Sequence, residues 1–191
     1  MSSNKDSKPG NKLELIYSTL KVGESIDDVV LKDVASEIIK EYKSNLDELN
    51  FEIDLEKLFF SALYQSISDY DDKPLESVFY LSNMLKEFNS SKVFKGTGAD
   101  YVFHISDIAD KERTEETFKH TGDVALFMAG YNSDFERNQG SFYRNIGGWG
   151  YVGASNMSSS SQRSDVYQDL ANNFKDYVIH LKNVRDIIKF N

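Results

Sequence analysis

Between Phe118 and Gly153 the chain reads FKHTGDVALFMAGYNSDFERNQGSFYRNIGGWGYVG, and most of its eleven glycines and its one tryptophan lie there. Gly122, Ala125, Ala129 and Gly130 recur near helical spacing. Such a ridge of small side chains lets a second helix approach closely. Val124, Leu126, Phe127 and Met128 make the same segment apolar nearly all round, so the spacing predicts a helix over Gly122–Gly130 buried at the centre of a globular fold. At about ten residues it is too short for a membrane span, which takes about 20. Further on, Gly147, Gly148, Gly150 and Gly153 alternate with Tyr143, Ile146, Trp149 and Tyr151. Each glycine costs a helix about 1 kcal/mol against alanine. That cost implies close backbone packing, in a kinked helix or a loop held by tertiary contacts.

Asp123 stands inside the apolar run. A carboxylate there either sits partly exposed at a helix start or is buried and finds hydrogen-bonding partners. The phenols of Tyr143 and Tyr151 and the Arg144 guanidinium are the donors that suggest themselves, making Asp123 a buried anchor among aromatic rings.

The rest of the chain repeats the helical theme. Leu13, Ile16, Tyr17 and Leu20 share one helical face, with Gly23 as a stop. Ser25-Ile-Asp-Asp28 reads as a capping box ahead of Leu31, Val34, Ala35, Ile38, Ile39 and Tyr42. Asp54 is a candidate N-cap for Leu55–Ile67, and Pro74 takes the first position of a helix closing at Asn89-Ser-Ser. A further helix begins near Asp100, with Thr114 as a possible N-cap for the next. Ser164 is expected to cap one long last helix running to the end of the chain. No strand-like alternation or fixed-period repeat interrupts the pattern. The expectation is a disordered tail over 1–11 and a single all-α domain over 12–191, a compact bundle of six to eight helices around one buried central helix.

Several functions are excluded or disfavoured. A formal charge of −9 opposes binding to duplex nucleic acid or an anionic membrane, where affinity rests on Lys and Arg. The chain has no cysteine, which removes disulfides, thiolate nucleophiles and Cys-ligated metals. With no apolar leader at the start, a cytoplasmic location is expected. Gly148-Trp-Gly150-Tyr-Val-Gly153 matches the dinucleotide pattern literally, but no strand precedes it and no helix with a downstream acid follows. Serine hydrolysis lacks its G-x-S-x-G elbow. Glu116, His120 and Asp123 share a helical face, with His104, Asp107 and His180 elsewhere as further ligand types. The spacing Glu-x-x-x-His, occurring once, does not match the Glu-x-x-His pairs of di-iron bundles; Glu116 and His120 read more simply as an exposed i,i+4 pair. No metal or other cofactor is expected.

Three segments carry a resemblance: Pro74–Phe88 (PLESVFYLSNMLKEF), Gly122–Gly130 (GDVALFMAG) and Phe142–Tyr151 (FYRNIGGWGY). Together they resemble a family of uncharacterised bacterial helical proteins with the pattern "FYLxNLLxxF … GDxALFxxGFF … YYxxMGGxAY", over roughly residues 51–190. This chain departs from it at Tyr131-Asn132, where the family has an aromatic pair, and at Trp149-Gly150, where it has small residues. The resemblance implies an all-helical domain whose shared positions include Asp123, Gly130, Tyr143, Gly147, Gly148 and Tyr151. It implies no activity.

The residues favour a non-catalytic helical binding or scaffold protein. Its contact region would be aromatic and glycine-rich, built from Asp123, Tyr131, Tyr143, Arg144, Trp149 and Tyr151, and its partner a protein. The alternative is a helical enzyme or a small-ligand or metal-binding protein with a pocket around Asp123, Tyr143 and Tyr151.

Overall fold

The computed structural model of the chain describes residues 27–45, 54–68, 74–90, 98–132 and 140–188. They form eight α-helices: α1 (Asp28–Ser44), α2 (Leu55–Ser68), α3 (Leu75–Ser90), α4 (Gly98–Glu112), α5 (Glu115–Gly130), α6 (Gly140–Met157), α7 (Ser161–Asn172) and α8 (Phe174–Ile188). No strand occurs among the described residues, and none of these helices is long and apolar enough to cross a membrane. The expected 1–11 tail, the Lys12–Leu20 helix with its Gly23 stop, and the Ser25 end of the capping box lie outside the described residues.

Helix starts follow local chemistry, with small shifts from the sequence expectation. Asp27 caps α1 by accepting the Val29 N–H at 2.8 Å. Asp28 sits in the first turn and accepts from the Tyr64 hydroxyl. Asp54 caps α2, accepting from the amides of Glu56 and Lys57 at 3.2 and 3.4 Å. Pro74 stands one position ahead of α3, its carbonyl accepting from Ser77 and Val78. Helix α4 ends at Glu112, and Arg113 turns the chain with a left-handed φ of 52°. Thr114 then opens α5 with a reciprocal capping box to Thr117.

The expected single long last helix is two. Ser160, not Ser164, accepts the Arg163 amide and caps α7. Ser164 instead donates to the Ser155 carbonyl at 3.2 Å, tying α7 to the end of α6. The chain breaks at Asn173, whose side chain donates to Asp169 Oδ1 at 2.7 Å while its carbonyl receives Asp176 and Tyr177. Apolar spacing runs through the break because one turn residue scarcely changes which face is apolar.

One hydrophobic cluster draws side chains from all eight helices. Within it α5 is central: Thr121 to Met128 are buried without interruption, and α5 packs on α4, α6 and α8. The α5–α6 contact is the closest. A Cβ on Gly150 would stand 2.7 Å from the Gly122 nitrogen and 2.9 Å from the Phe118 carbonyl oxygen, and one on Gly122 would stand 2.7 Å from the Tyr151 ring. Backbone therefore meets backbone, and the glycine-rich segment is a regular 18-residue helix rather than a loop.

The four glycines are unequal, which gives a test. Gly150→Ala forces backbone apart and is expected to cost about 3 kcal/mol or more. Gly148, where an added Cβ meets nothing within 4 Å, is expected to gain up to about 1 kcal/mol on substitution by alanine. Urea denaturation of both variants checks the pair; equal effects would refute the backbone contact.

Candidate functional site

Asp123 lies mid-helix in α5 and is 2% exposed, the one buried carboxylate among the described residues. The residue is a buried anchor, not a half-exposed helix start. Its Oδ1 accepts from the hydroxyls of Tyr80 on α3 at 2.6 Å and Tyr151 on α6 at 2.9 Å. Its Oδ2 accepts from the Lys119 ammonium at 2.8 Å, an i,i+4 pair within α5. Sequence reasoning named Tyr151 correctly but also Tyr143 and Arg144, and it missed Tyr80 and Lys119. The i,i+4 spacing of Lys119 and Asp123 was the available signal. For Tyr80 the sequence offered only its place in the FYL segment.

The surrounding rings close the site. Tyr80 stands edge-on to Tyr151 and Tyr167, and Tyr167 stacks on Tyr151 at 6.4 Å between centroids. The Lys119 ammonium lies 5.5 Å from the Tyr80 ring centre. Burial first, and then the Asp123 carboxylate, hold both the Tyr80 and Tyr151 phenols protonated well above their ordinary range. Burial also pushes Tyr167 up to about 12. Burial alone would lower Lys119, but the carboxylate outweighs it and the ammonium is held above its usual value. With both oxygens engaged by three donors, this cluster fixes α3, α5 and α6 together. It offers no reacting group an open face.

The remaining sequence candidates are spread apart. Tyr131 ends α5, stacked on Phe127 and edge-on to Phe59; burial pushes it up to about 12. Trp149 is 39% exposed on the outward side of α6, edge-on to Phe118 at 5.0 Å. The metal candidates are not brought together: Glu116 and His104 are exposed, and His120 shares a 3.3 Å hydrogen bond with the Tyr101 hydroxyl. Among the described residues no group of three or more His, Asp or Glu side chains is arranged to hold a metal. Gly148, Gly150 and Gly153 lie inside α6, so the literal dinucleotide pattern forms no phosphate loop.

Tyr143 and Arg144 do meet at a second place. A groove of about 210 Å³ runs between α6 and α8. Ala129, Tyr143, Phe174 and Val178 supply apolar lining, with Ile179 at the edge. Arg144 stands on the α6 side, and Lys175 and Lys182 on the α8 side. Tyr143 and Phe174 are themselves buried. Gly147 lets the Phe174 ring lie against the α6 backbone. Sequence reasoning missed the α8 half of this groove, because its residues looked like an ordinary amphipathic face.

No protein-family model matches the chain, and neither a curated protein nor a solved structure matches it. Fold and geometry alone define its class: an all-helical protein with a closed, charged core cluster and an open, basic-edged groove.

The core cluster makes two predictions. Asp123→Leu strands two phenols and an ammonium and is expected to cost about 3–5 kcal/mol, while Tyr151→Phe costs about 1.5–3 kcal/mol. Thermal unfolding measures both, and an unchanged melting curve for Asp123→Leu would refute the anchor. The second concerns acid. Burial lowers the His120 pKa from its ordinary value, partly countered by Asp123. The folded state therefore prefers neutral His120. Its contribution is complete above the unfolded value of about 6.5 and is lost as pH falls through the lower folded value. His120→Gln is expected to flatten the stability profile just below about pH 6.5; denaturation titrations across that window decide, and an unchanged profile would refute it.

Proposed function

We propose that this chain is a non-catalytic helical binding module whose contact region is centred on the α6–α8 groove, with Trp149 on a separate outward face of α6. The observation that carries the reading is the groove: apolar inside, with Arg144, Lys175 and Lys182 and no carboxylate among its described lining residues, on a chain of net charge −9. Preformed concave apolar surface with a few charges at its edge is the usual form of a recognition site. Less supports a pocket around Asp123, since Tyr80, Tyr151 and Lys119 already occupy its oxygens. The reading carries with it a protein partner and a cytoplasmic location. The likeness to bacterial helical proteins in the Pro74–Phe88, Gly122–Gly130 and Phe142–Tyr151 segments is part of the same proposal.

The test is site-directed crosslinking in cells expressing the chain. A photoreactive residue replacing Ile179, which is 47% exposed at the groove, is expected to give a discrete adduct with one protein. The same residue at exposed His104 gives none. The captured protein, once purified, is expected to bind at least about tenfold more weakly to Ile179→Glu, a loss of about 1.4 kcal/mol. Equal adducts from both positions, or none from Ile179, would overturn the reading.

A further inference from the structure

Resting on that reading, we infer that the α6–α8 groove takes an acidic amphipathic helix of a partner protein, with its apolar face against Tyr143, Phe174 and Val178 and its carboxylates against Arg144 and Lys175. Three observations lead there. The first is size. Sites for drug-sized ligands enclose about 300–1,000 Å³. The groove encloses about 210 Å³, room for a few anchoring side chains rather than for a whole cofactor. The second is shape. Its walls are two helices, and their lining residues recur as helical stripes: Gly140, Tyr143 and Arg144 on α6, and Lys175, Val178, Ile179 and Lys182 on α8. A trough between helices matches a third helix presenting apolar residues at i, i+3 or i+4, and i+7.

The third is charge. Arg144 on α6 and Lys175 on α8 place a cation on each side of the groove. Carboxylates on both edges of an inserted helix's apolar face would meet them. A basic or neutral helix gains nothing from these cations, and on a chain with 31 acidic against 22 basic residues the described lining residues include no carboxylate. Charge complementarity of this kind selects partners and speeds encounter more than it adds raw affinity. The floor is already formed: Tyr143 and Phe174 are buried, and Phe174 is seated against Gly147. Binding therefore orders little of this chain.

The test uses the full chain and a displayed library of amphipathic helical 15-residue peptides with every polar position randomised. The expected selection is enriched in Glu and Asp beside the apolar anchors. Selected peptides are expected to bind Arg144→Glu/Lys175→Glu at least tenfold more weakly. Lys-substituted versions of the same peptides recover binding to that variant. Both positions are exposed, so the variant keeps its melting temperature, and circular dichroism checks that it does. Neutral or basic winners, equal binding to wild type and variant, or saturable binding of octanoate with no helical peptide selected would each overturn the acidic helix. If the library fails while Ile179 still crosslinks, the partner chemistry falls and the binding reading stands. If Ile179 yields no crosslink, both fall.

Discussion

The fold depends on two backbones touching. Where α5 and α6 cross, the Gly122 nitrogen and the Phe118 carbonyl occupy the space a side chain on Gly150 would need. That approach brings the Tyr151 ring over Gly122 and its hydroxyl to Asp123. A methyl group at the crossing would move the phenol, and with it the acceptor geometry of the carboxylate. Glycines that would weaken an isolated helix are here the condition for its packing, which is why a segment with poor helix propensity still forms 18 residues of regular helix.

The carboxylate is what this packing encloses. Burying an ion is unfavourable unless its lone pairs are used, and Asp123 meets that condition with donors from three helices. An apolar residue of similar size would leave the two phenols and the ammonium without their acceptor and would lose the directional bonds that orient α3 and α6. The three donors fix one arrangement, with Tyr80 and Tyr151 reaching the same oxygen. The same rigidity reaches the groove, since Tyr143 and Gly147, which shape one wall, are on the helix that carries Tyr151.

Much of this was legible in the sequence, and the gaps have physical causes. Helical spacing and small residues pointed to an all-α bundle with Gly122–Gly130 at its centre, and α5 is that helix. Asp54 and Thr114 were recognisable as caps because capping is local chemistry. The Asn173 break was hidden because Val166, Leu170, Phe174 and Tyr177 keep their phase across it. Tyr80 was missed because its partner lies 43 residues away, a pairing that no local pattern encodes. Trp149, Tyr131 and Tyr143 were grouped by aromatic density, yet density along the chain does not choose a face of the helix. The groove was half visible, in Tyr143 and Arg144, because its other wall comes from α8.

The pairing of Lys119 with Asp123 is internal to one helix, and this bears on how the core is assembled. An i,i+4 pair needs only its own turn of helix and no other element. The acid thus carries its counter-ion on its own helix, and the ammonium, on a partly exposed side chain, keeps one end of the pair near water. The phenols from α3 and α6 complete the acceptor's partners from outside that helix. No packing partner of α5 therefore has to bring a charge of its own to balance the buried one.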